Sequence, residues 1–139
     1  MVKVFYWSPF ISKIATSKAV INSAISLKKY SNNTITPYII NLFNEWDIYT
    51  KEIDQNKINL INLFKSKIKL KLSDRGFLLS RISFIFIFFT SFFPLLRILK
   101  KEKPEYIIIH LNTALPLILL FLFNFNTKFI LRISGKVRL

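Results

Sequence analysis

His110, the only histidine in the chain, is the residue whose type and position best suit chemistry. It closes the apolar run 106–110, and an imidazole at the end of a buried strand could act as a base or hydrogen-bond a hydroxyl or phosphate of a ligand. Ser8 and Ser12 precede a predicted helix, whose first backbone N–H groups suit a phosphate. Both features also have a purely structural interpretation. His110 can end a strand with its hydrogen bonds made inside the fold, and Ser8 and Ser12 can cap the helix.

Charged residues form two further groups. Four of the seven acidic residues lie in one polar segment: Glu45, Asp47, Glu52 and Asp54. Their spacing matches no metal-ligand pattern, so a solvated acidic loop is favoured over a metal site. A basic cluster ends a very apolar predicted helix and consists of Arg97, Lys100, Lys101 and Lys103. This basic cluster suits anionic lipid head groups and, equally, the negative end of the helix dipole.

The composition excludes most self-contained enzyme chemistries. The chain has no Cys, which removes disulfides, thiol nucleophiles and cysteine-based metal sites. One histidine cannot build a multi-histidine metal centre. The two glycines, Gly76 and Gly135, are too few for a Walker A loop or a G-x-G-x-x-G fingerprint. We therefore expect neither a metal nor a cofactor.

The charge balance points to an anionic partner or to compositional drift. Lys and Arg total 21 against seven Asp and Glu, which gives a formal net charge of +14. Such an excess suits nucleic acid, an anionic membrane face or a phosphorylated ligand. A composition rich in Ile, Lys, Asn and Phe is also what AT-rich coding DNA produces.

The 139 residues suit one domain, and 52% hydrophobic residues provide a core.

Apolar runs and turn residues predict alternating strands and helices. Strands are predicted at 2–7, 38–43, 58–63, 106–110 and 128–134, and helices at 12–30, 77–101 and 113–123. The polar segment 44–56 is interpreted as a loop, and 65–72, where Lys alternates with other residues, as an edge strand or a basic loop.

This order predicts an α/β protein, a Rossmann-like parallel sheet layered by helices. In such sheets ligands bind beyond the carboxyl ends of the strands. The rule selects segments 7–13, 44–47, 110–113 and 134–135. His110, Ser8, Ser12 and Asn112 all lie in these segments.

Residues 103–110, Lys-Pro-Glu-Tyr-Ile-Ile-Ile-His, resemble the K-P-[DE]-hydrophobic-H segment of GT-B glycosyltransferases, especially the family-4-type bacterial enzymes. In that family the segment forms the fourth strand of the N-terminal domain. The first strand with its Tyr6-Trp7-Ser8-Pro9-Phe10 exit, the following helix and the last strand up to Gly135 agree in order. The resemblance spans essentially the whole chain, residues 1–139, as one half of a GT-B architecture.

The resemblance implies an N-terminal, acceptor-binding half of a glycosyltransferase, truncated or naturally split. The intact enzyme would transfer a sugar from a nucleotide-sugar donor to a lipid-linked or polysaccharide acceptor in cell-envelope polysaccharide synthesis. His110, Ser8, Ser12 and Asn112 are the acceptor-binding candidates, and no catalytic residue is assigned. The donor-binding half with its E-x7-E motif is missing, so we expect no activity from the chain alone, and a partner chain could supply that half.

The resemblance also implies a location, because family members often dock on the inner membrane through basic and apolar helices. The helix 77–103 fits that role, with Arg97, Lys100, Lys101 and Lys103 as membrane-contact residues. We expect a cytoplasmic protein, peripheral at the inner face of the cell membrane.

Two other classes of protein stay open. The first is a small basic integral membrane protein with hydrophobic helices near 77–99 and 106–127. The second is a basic nucleic-acid binder, but its aromatic residues lie in apolar runs and no RNA or DNA motif is present. We therefore expect no nucleic-acid partner.

Overall fold

The computed structural model describes residues 1–10, 15–64, 77–110 and 115–132. The elements, in chain order, are β1 (Val2–Trp7), α1 (Ala15–Tyr30), β2 (Ile35–Asn41), a 3-10 helix (Glu45–Tyr49), α2 (Thr50–Gln55), β3 (Asn59–Asn62), α3 (Phe77–Glu102), β4 (Tyr106–His110), α4 (Leu115–Leu122) and β5 (Lys128–Arg132). The predicted start of the first helix, the lysine-rich stretch 65–72 and the end of the last strand lie outside the described residues.

The five strands form one parallel sheet in the order β3-β2-β1-β4-β5. From β1 the chain moves outward through β2 to β3, then returns to the other side of β1 with β4 and continues to β5. The direction therefore reverses between β1 and β4, as it does at the ligand-binding crevice of doubly wound α/β sheets. The predicted Rossmann-like parallel sheet layered by helices is confirmed.

Helices cover both faces of the sheet, because successive residues of each strand point to opposite faces. In β1, Val4 and Tyr6 pack with α1, the 3-10 helix and α2 in one core. Phe5 and Trp7 pack with α3, β4 and α4 in the other core. The apolar run of β4 contributes to both cores, with Ile107 and Ile109 buried in one and Ile108 partly buried in the other, as expected for a central parallel strand.

The segment 44–56 is not the loop that the sequence predicted. It forms the 3-10 helix and α2, and it buries Trp46, Tyr49 and Ile53 against α1. Parallel strands cannot be joined by a hairpin, so β2 and β3 need a crossover of this kind. Trp46, Tyr49 and Ile53 lie three and four residues apart, which is a helical spacing. The acidic residues among them led to the prediction of a loop.

The second strand begins earlier than predicted and includes Pro37. Pro37 lies opposite Val4 of β1, whereas the pairing of β2 with β3 begins only at Tyr38. The missing N–H of the proline therefore removes no bond to β3, which makes the position tolerable in a strand.

The long helix α3 packs on the sheet along one stripe and is exposed elsewhere. Ile87, Ser91, Leu95 and Leu99 are buried at steps of four residues. Ser91 donates a hydrogen bond to the carbonyl oxygen of Ile87, one turn back. Within the described residues one helical segment, Arg81–Glu102, is long and apolar enough to cross a membrane. The second span of the two-helix alternative does not exist, because 106–110 is an interior strand.

Candidate functional site

A row of polar residues crosses the carboxyl ends of all five strands. Asn41 pairs with Asn62, and His110 pairs with Arg132. Trp7 pairs with Ile109, so Ser8 follows directly beside His110. The same register carried through β2 brings Ser8 level with Asn41. We call Asn62, Asn41, Ser8, His110 and Arg132 the polar row; strand alternation places all of them on the face covered by α1.

The middle of the polar row lies at the reversal of strand order. Ser8 follows β1 and His110 ends β4, so the two residues lie on either side of the point where the crossovers diverge. In open α/β sheets the point where the strand order reverses is the usual ligand site, and we call this place the crevice. The predicted neighbourhood of Ser8 and His110 at one edge is therefore present in the structure.

Three buried polar atoms near this crevice have no hydrogen-bond partner within the described ranges: Ser8 Oγ, His110 Nε2 and Trp46 Nε1. Ser8 is 1% exposed and His110 is 2% exposed, so solvent does not readily replace the missing bonds. An unsatisfied buried polar group costs about 1–3 kcal/mol. Proteins seldom keep such groups without a bound water, a ligand or a functional role.

His110 is held in its neutral form. Burial in the sheet and, to a smaller extent, the positive charge of Arg132 together lower the pKa of the imidazole from 6.5 to about 4. At neutral pH one ring nitrogen is therefore a lone-pair acceptor and the other a donor. A neutral imidazole can accept a proton or a hydrogen bond from a ligand hydroxyl.

Asn41 fixes the 3-10 helix onto the end of β2. Its side-chain amide donates to Asn62 Oδ1 at 2.8 Å and to Asp47 Oδ1 at 3.5 Å. Its side-chain oxygen Oδ1 accepts a hydrogen bond from the backbone N–H of Trp46 at 3.3 Å. Asn41 is buried, and its side chain forms hydrogen bonds to other residues of the protein, so its role is to position the site.

Glu45 closes the turn that follows β2. Its carboxylate accepts the N–H of Leu42 through both oxygens, at 3.1 and 3.0 Å, and the N–H of Phe43 at 2.7 Å. Burial, the largest influence, raises the pKa of Glu45, and the charge of Asp47 adds to the rise. The backbone hydrogen bonds oppose it, and the net pKa is about 7 instead of 4.5. The solvated-loop interpretation is wrong for Glu45, whereas Asp47 and Asp54 are exposed as expected.

Aromatic rings attach the loop after β1 to the 3-10 helix. Phe10 packs edge-on against Trp46, with ring centroids 4.9 Å apart, and against Tyr49 at 6.3 Å. The Tyr49 hydroxyl and Ser17 Oγ of α1 lie 2.7 Å apart and share a hydrogen bond. These contacts hold Phe10, at the start of the loop after β1, against the 3-10 helix and α1.

The structure separates the predicted site residues into two places. Ser8 and His110 lie at the carboxyl edge of the sheet, while Ser12 and Asn112 lie outside the described residues. The basic cluster is exposed at the carboxyl end of α3, which is the opposite, amino edge. Two of its members have local partners: Lys101 Nζ lies 3.6 Å from Glu102 Oε1, and Lys100 Nζ lies 4.8 Å from the centroid of the Phe123 ring.

Sequence reasoning missed Asn41 and Arg132 of this site, and it selected the segment 44–47 without singling out Trp46. A polar residue ends each of β2, β3, β4 and β5, and that recurrence was the available signal for Asn41 and Arg132. No group of three or more His, Asp or Glu side chains within the described ranges could hold a metal ion.

Comparisons with known proteins identify the fold. The chain superposes on the crystal structure of a glycosyltransferase from Rickettsia africae ESF-5 with a TM-score of 0.58 at 18% sequence identity. The superposition covers 94% of this chain and 29% of that chain. No protein-family model matches the sequence, and no curated protein matches it. The chain thus has the α/β Rossmann-like fold found in part of a glycosyltransferase and spans under a third of that protein's length.

Proposed function

We propose that the protein is the acceptor-binding half of a GT-B glycosyltransferase of the family-4 type. The complete enzyme transfers a sugar from a nucleotide-sugar donor to a lipid-linked or polysaccharide acceptor in cell-envelope polysaccharide synthesis. The fold shared with the Rickettsia africae glycosyltransferase supports the class of enzyme. The observation that carries the proposal is the pair of unpartnered buried atoms, Ser8 Oγ and His110 Nε2, at the reversal of strand order.

These two atoms suit a sugar because hydroxyl groups both donate and accept hydrogen bonds. The unpaired Nε2 of His110 and the Ser8 hydroxyl can each take up one such bond. Since His110 stays neutral at physiological pH, it adds no charge that would select an ionic ligand. Ser12 and Asn112 belong to the two segments that follow Ser8 and His110, and we assign them to the same acceptor site.

A lipid-linked acceptor fits the surroundings of the crevice. The exposed apolar surface of α3 includes Phe86, whose ring lies 6.3 Å from that of Phe43 just beyond β2. From there it continues along α3 through Phe89 to Phe93, which is 73% exposed. An isoprenoid or acyl chain could follow this surface away from a sugar held at the polar row.

We further propose that the same surface places the protein in the cytoplasm, peripheral at the inner face of the cell membrane. The exposed apolar side chains of α3 and α4 end next to the basic cluster, Arg97, Lys100, Lys101 and Lys103. Apolar burial combined with positive charge is how amphipathic helices bind anionic leaflets. Lys101 and Lys100 also contact Glu102 and Phe123 within the protein. The alternative interpretation, in which the basic cluster stabilises the negative end of the helix dipole, therefore stays open.

The donor nucleotide-sugar is proposed to bind elsewhere, on a second domain or a partner chain. The described residues supply no cluster of positive charge at the crevice beyond Arg132 to stabilise a leaving diphosphate, the charge that most needs stabilisation in this reaction. The purified chain, mixed with nucleotide-sugars and acceptors, should therefore release no transfer product. Measurable turnover by the chain alone would contradict the proposal that the donor binds elsewhere.

Binding of acceptor analogues tests the site. Geranyl diphosphate-linked hexoses and N-acetylhexosamines, titrated by calorimetry, should bind the chain, and Ser8→Ala should weaken that binding about tenfold, the loss of one hydrogen bond. The same substitution should leave stability unchanged or raise it, because it removes an unsatisfied buried hydroxyl. Thr34→Ala, at the amino edge, is the matched control and should not change binding. No binding, or equal binding by Ser8→Ala, would refute the proposal.

A further inference from the structure

A cavity opens at the amino edge of the sheet, far from the polar row, and we call it the amino-edge cavity. Its volume is about 350 Å³, at the small end of the range typical of ligand sites. Its lining residues fall in two segments, 99–105 between α3 and β4 and 124–127 before β5. Both segments are described throughout, so the cavity does not depend on where the described residues end.

Hydrogen bonds between the two lining segments hold the cavity in shape. Thr127, which is 8% exposed, donates from Oγ1 to the Pro104 carbonyl oxygen at 2.7 Å. The backbone N–H of Lys128 donates to the Glu105 carbonyl oxygen at 2.8 Å. Leu99 and Pro104, both buried, give the cavity an apolar lining. The site is therefore formed by the fold itself, before any ligand binds.

The charged groups of the lining carry an excess of positive charge. Lys100 and Lys103 are exposed, and neither forms an ion pair within the described ranges. The Glu105 carboxylate also belongs to the lining, but its Oε2 accepts the backbone N–H of Lys3 at 2.7 Å. Two ammonium groups without a carboxylate partner favour an anionic ligand with several oxygen atoms.

Lys103 has a backbone conformation that disfavours lysine. It directly follows the last residue of α3 and has a φ of 45°, the left-handed conformation in which helix ends usually place Gly or Asn. A residue with a Cβ is strained there. Lysine therefore costs stability at this position, and its replacement by glycine can separate binding from folding.

The neutral and acidic groups of the lining suit hydroxyl groups. The carboxamides of Asn124 and Asn126 both donate and accept hydrogen bonds, and the carboxylate of Glu105 accepts them. A ligand that joins a phosphate to a small polyol would place its phosphate oxygens near Lys100 and Lys103 and its hydroxyls near the other three side chains.

We propose that the amino-edge cavity binds a phosphate ester of a small polyol, either as a free metabolite or as the head group of a glycerophospholipid. This site is separate from the polar row, and it requires neither the sugar-transfer function nor the membrane contact proposed above. In the alternative interpretation, Lys100 and Lys103 only stabilise the negative end of the α3 dipole, a role that needs no ligand.

Titration of the full chain with two soluble compounds tests the site. Backbone amide NMR follows the addition of sn-glycerol 3-phosphate, or of dihexanoyl phosphatidylglycerol below its micelle concentration. Saturable shifts are expected at 99–105 and 124–127. At least tenfold tighter binding of the lipid would support the proposal with a head group as the ligand, and similar or tighter binding of glycerol 3-phosphate would support it with a free ester. Inorganic phosphate should bind more weakly than the tighter of the two.

Lys103→Gly separates binding from folding. It should raise the thermal midpoint by about 3–5 °C, because glycine relieves the strain at positive φ. It should weaken binding about tenfold, the loss of one charge-assisted hydrogen bond. Lys57→Gly is the matched control, since Lys57 is exposed, has a φ of 51° and also lies at the amino edge, just before β3. The control should gain similar stability with its affinity unchanged within twofold.

The outcomes against the proposal are distinct. Shifts that do not saturate, or that lie outside the two lining segments with both compounds, would overturn it. Equal weakening by Lys103→Gly and Lys57→Gly would overturn it in favour of general charge attraction. Full binding by both Lys103→Gly and Lys100→Gln would leave the helix dipole as the role of these lysines. Inorganic phosphate that binds as tightly as either ester would refute the polyol part.

Discussion

Two side chains of the site, the buried His110 and the partly buried Glu45, respond to pH in opposite directions. His110 has a pKa of about 4 and Glu45 a pKa of about 7, both shifted mainly by burial, which disfavours the charged form. Folding therefore expels a proton from His110 and retains one on Glu45 over overlapping pH ranges. Because the two effects overlap in pH and have opposite signs, each must be measured with the other group removed.

For His110, acidification should destabilise the fold. The unfolded imidazole binds a proton near pH 6.5 and the folded one only near 4, so stability falls as pH drops from 6.5 to 4. The chain has one histidine, so the imidazole signals in an NMR titration belong to it alone and should show a midpoint well below 6.5. His110→Asn in the Glu45→Gln background should abolish the loss of unfolding free energy across this range. A midpoint at or above 6.5 would contradict the burial argument.

For Glu45, acidification should stabilise the fold. Its folded pKa lies above the unfolded value of 4.5, so stability is greatest below 4.5 and falls as pH rises to about 7. Glu45→Gln keeps an oxygen for the N–H of Phe43 without the charge. At pH 8 urea unfolding should show the variant more stable than the unmodified chain by about 1–2 kcal/mol, with no advantage at pH 4. A variant less stable at both pH values would show that the carboxylate hydrogen bonds outweigh burial.

For single residues, the sequence predicted the place of a side chain in the fold better than the groups with which that side chain forms hydrogen bonds. His110 and Ser8 were placed at the carboxyl edge because both follow recognisable strands. The acidic segment was misread at Glu45, since nothing in the sequence tells that this carboxylate folds back onto two backbone N–H groups. Asn41 was missed for the same reason: its role depends on register with Asn62, which only the assembled sheet defines.

Among the elements, α3 combines two environments on one helix. Leu95 and Leu99 pack against the sheet, whereas Phe89 and Phe93 on the other side are exposed. A helix with this division serves as a layer of the fold and offers an apolar surface to a partner. The sequence showed an apolar helix but could not show which side the sheet would cover.

Substitutions on the two sides of α3 should separate these roles. Leu95→Ala, fully buried, should lower the free energy of unfolding by about 2–4 kcal/mol through lost burial and a residual cavity. Phe93→Ala, an exposed counterpart two residues away, should change stability by less than about 0.5 kcal/mol. Chemical denaturation of both variants measures the difference. Equal losses would mean that the outer face of α3 is buried in the folded protein.

The crossover between β2 and β3 shows where element prediction failed. Apolar runs sufficed for all five strands and for α1, α3 and α4. The 3-10 helix and α2 have only three buried anchors, Trp46, Tyr49 and Ile53, spread among acidic and polar residues. Short helices carry little periodic signal, and the requirement for a parallel crossover comes from sheet topology.

Over the whole molecule, the polar row and the basic cluster occupy opposite edges of the sheet. The exposed apolar side of α3 lies on the other face of the sheet from the polar row, and it extends from Phe86, close to Phe43 beyond the carboxyl end of β2, to Phe93 near the basic cluster. The superposition with the Rickettsia africae glycosyltransferase covers 29% of that chain, so this domain corresponds to under a third of that protein.

Charge reversal tests the membrane proposal. Arg97→Glu with Lys100→Glu should reduce sedimentation with phosphatidylglycerol vesicles at least tenfold, because each basic residue near an anionic surface contributes about 1 kcal/mol. Lys29→Glu with Lys51→Glu makes the same charge change on exposed residues of the other layer and should have a smaller effect. Equal losses from both pairs, or equal binding to phosphatidylcholine vesicles, would point to nonspecific charge attraction.

The most direct test of the central claim is a map of backbone amide and imidazole NMR signals during titration with the geranyl diphosphate-linked sugars. The account predicts shifts concentrated at 8–10, 41–46 and His110, at the carboxyl edge around the polar row. Shifts confined to α3 and α4, with the imidazole signal unmoved, would show that the crevice does not bind the acceptor and would contradict the proposed function.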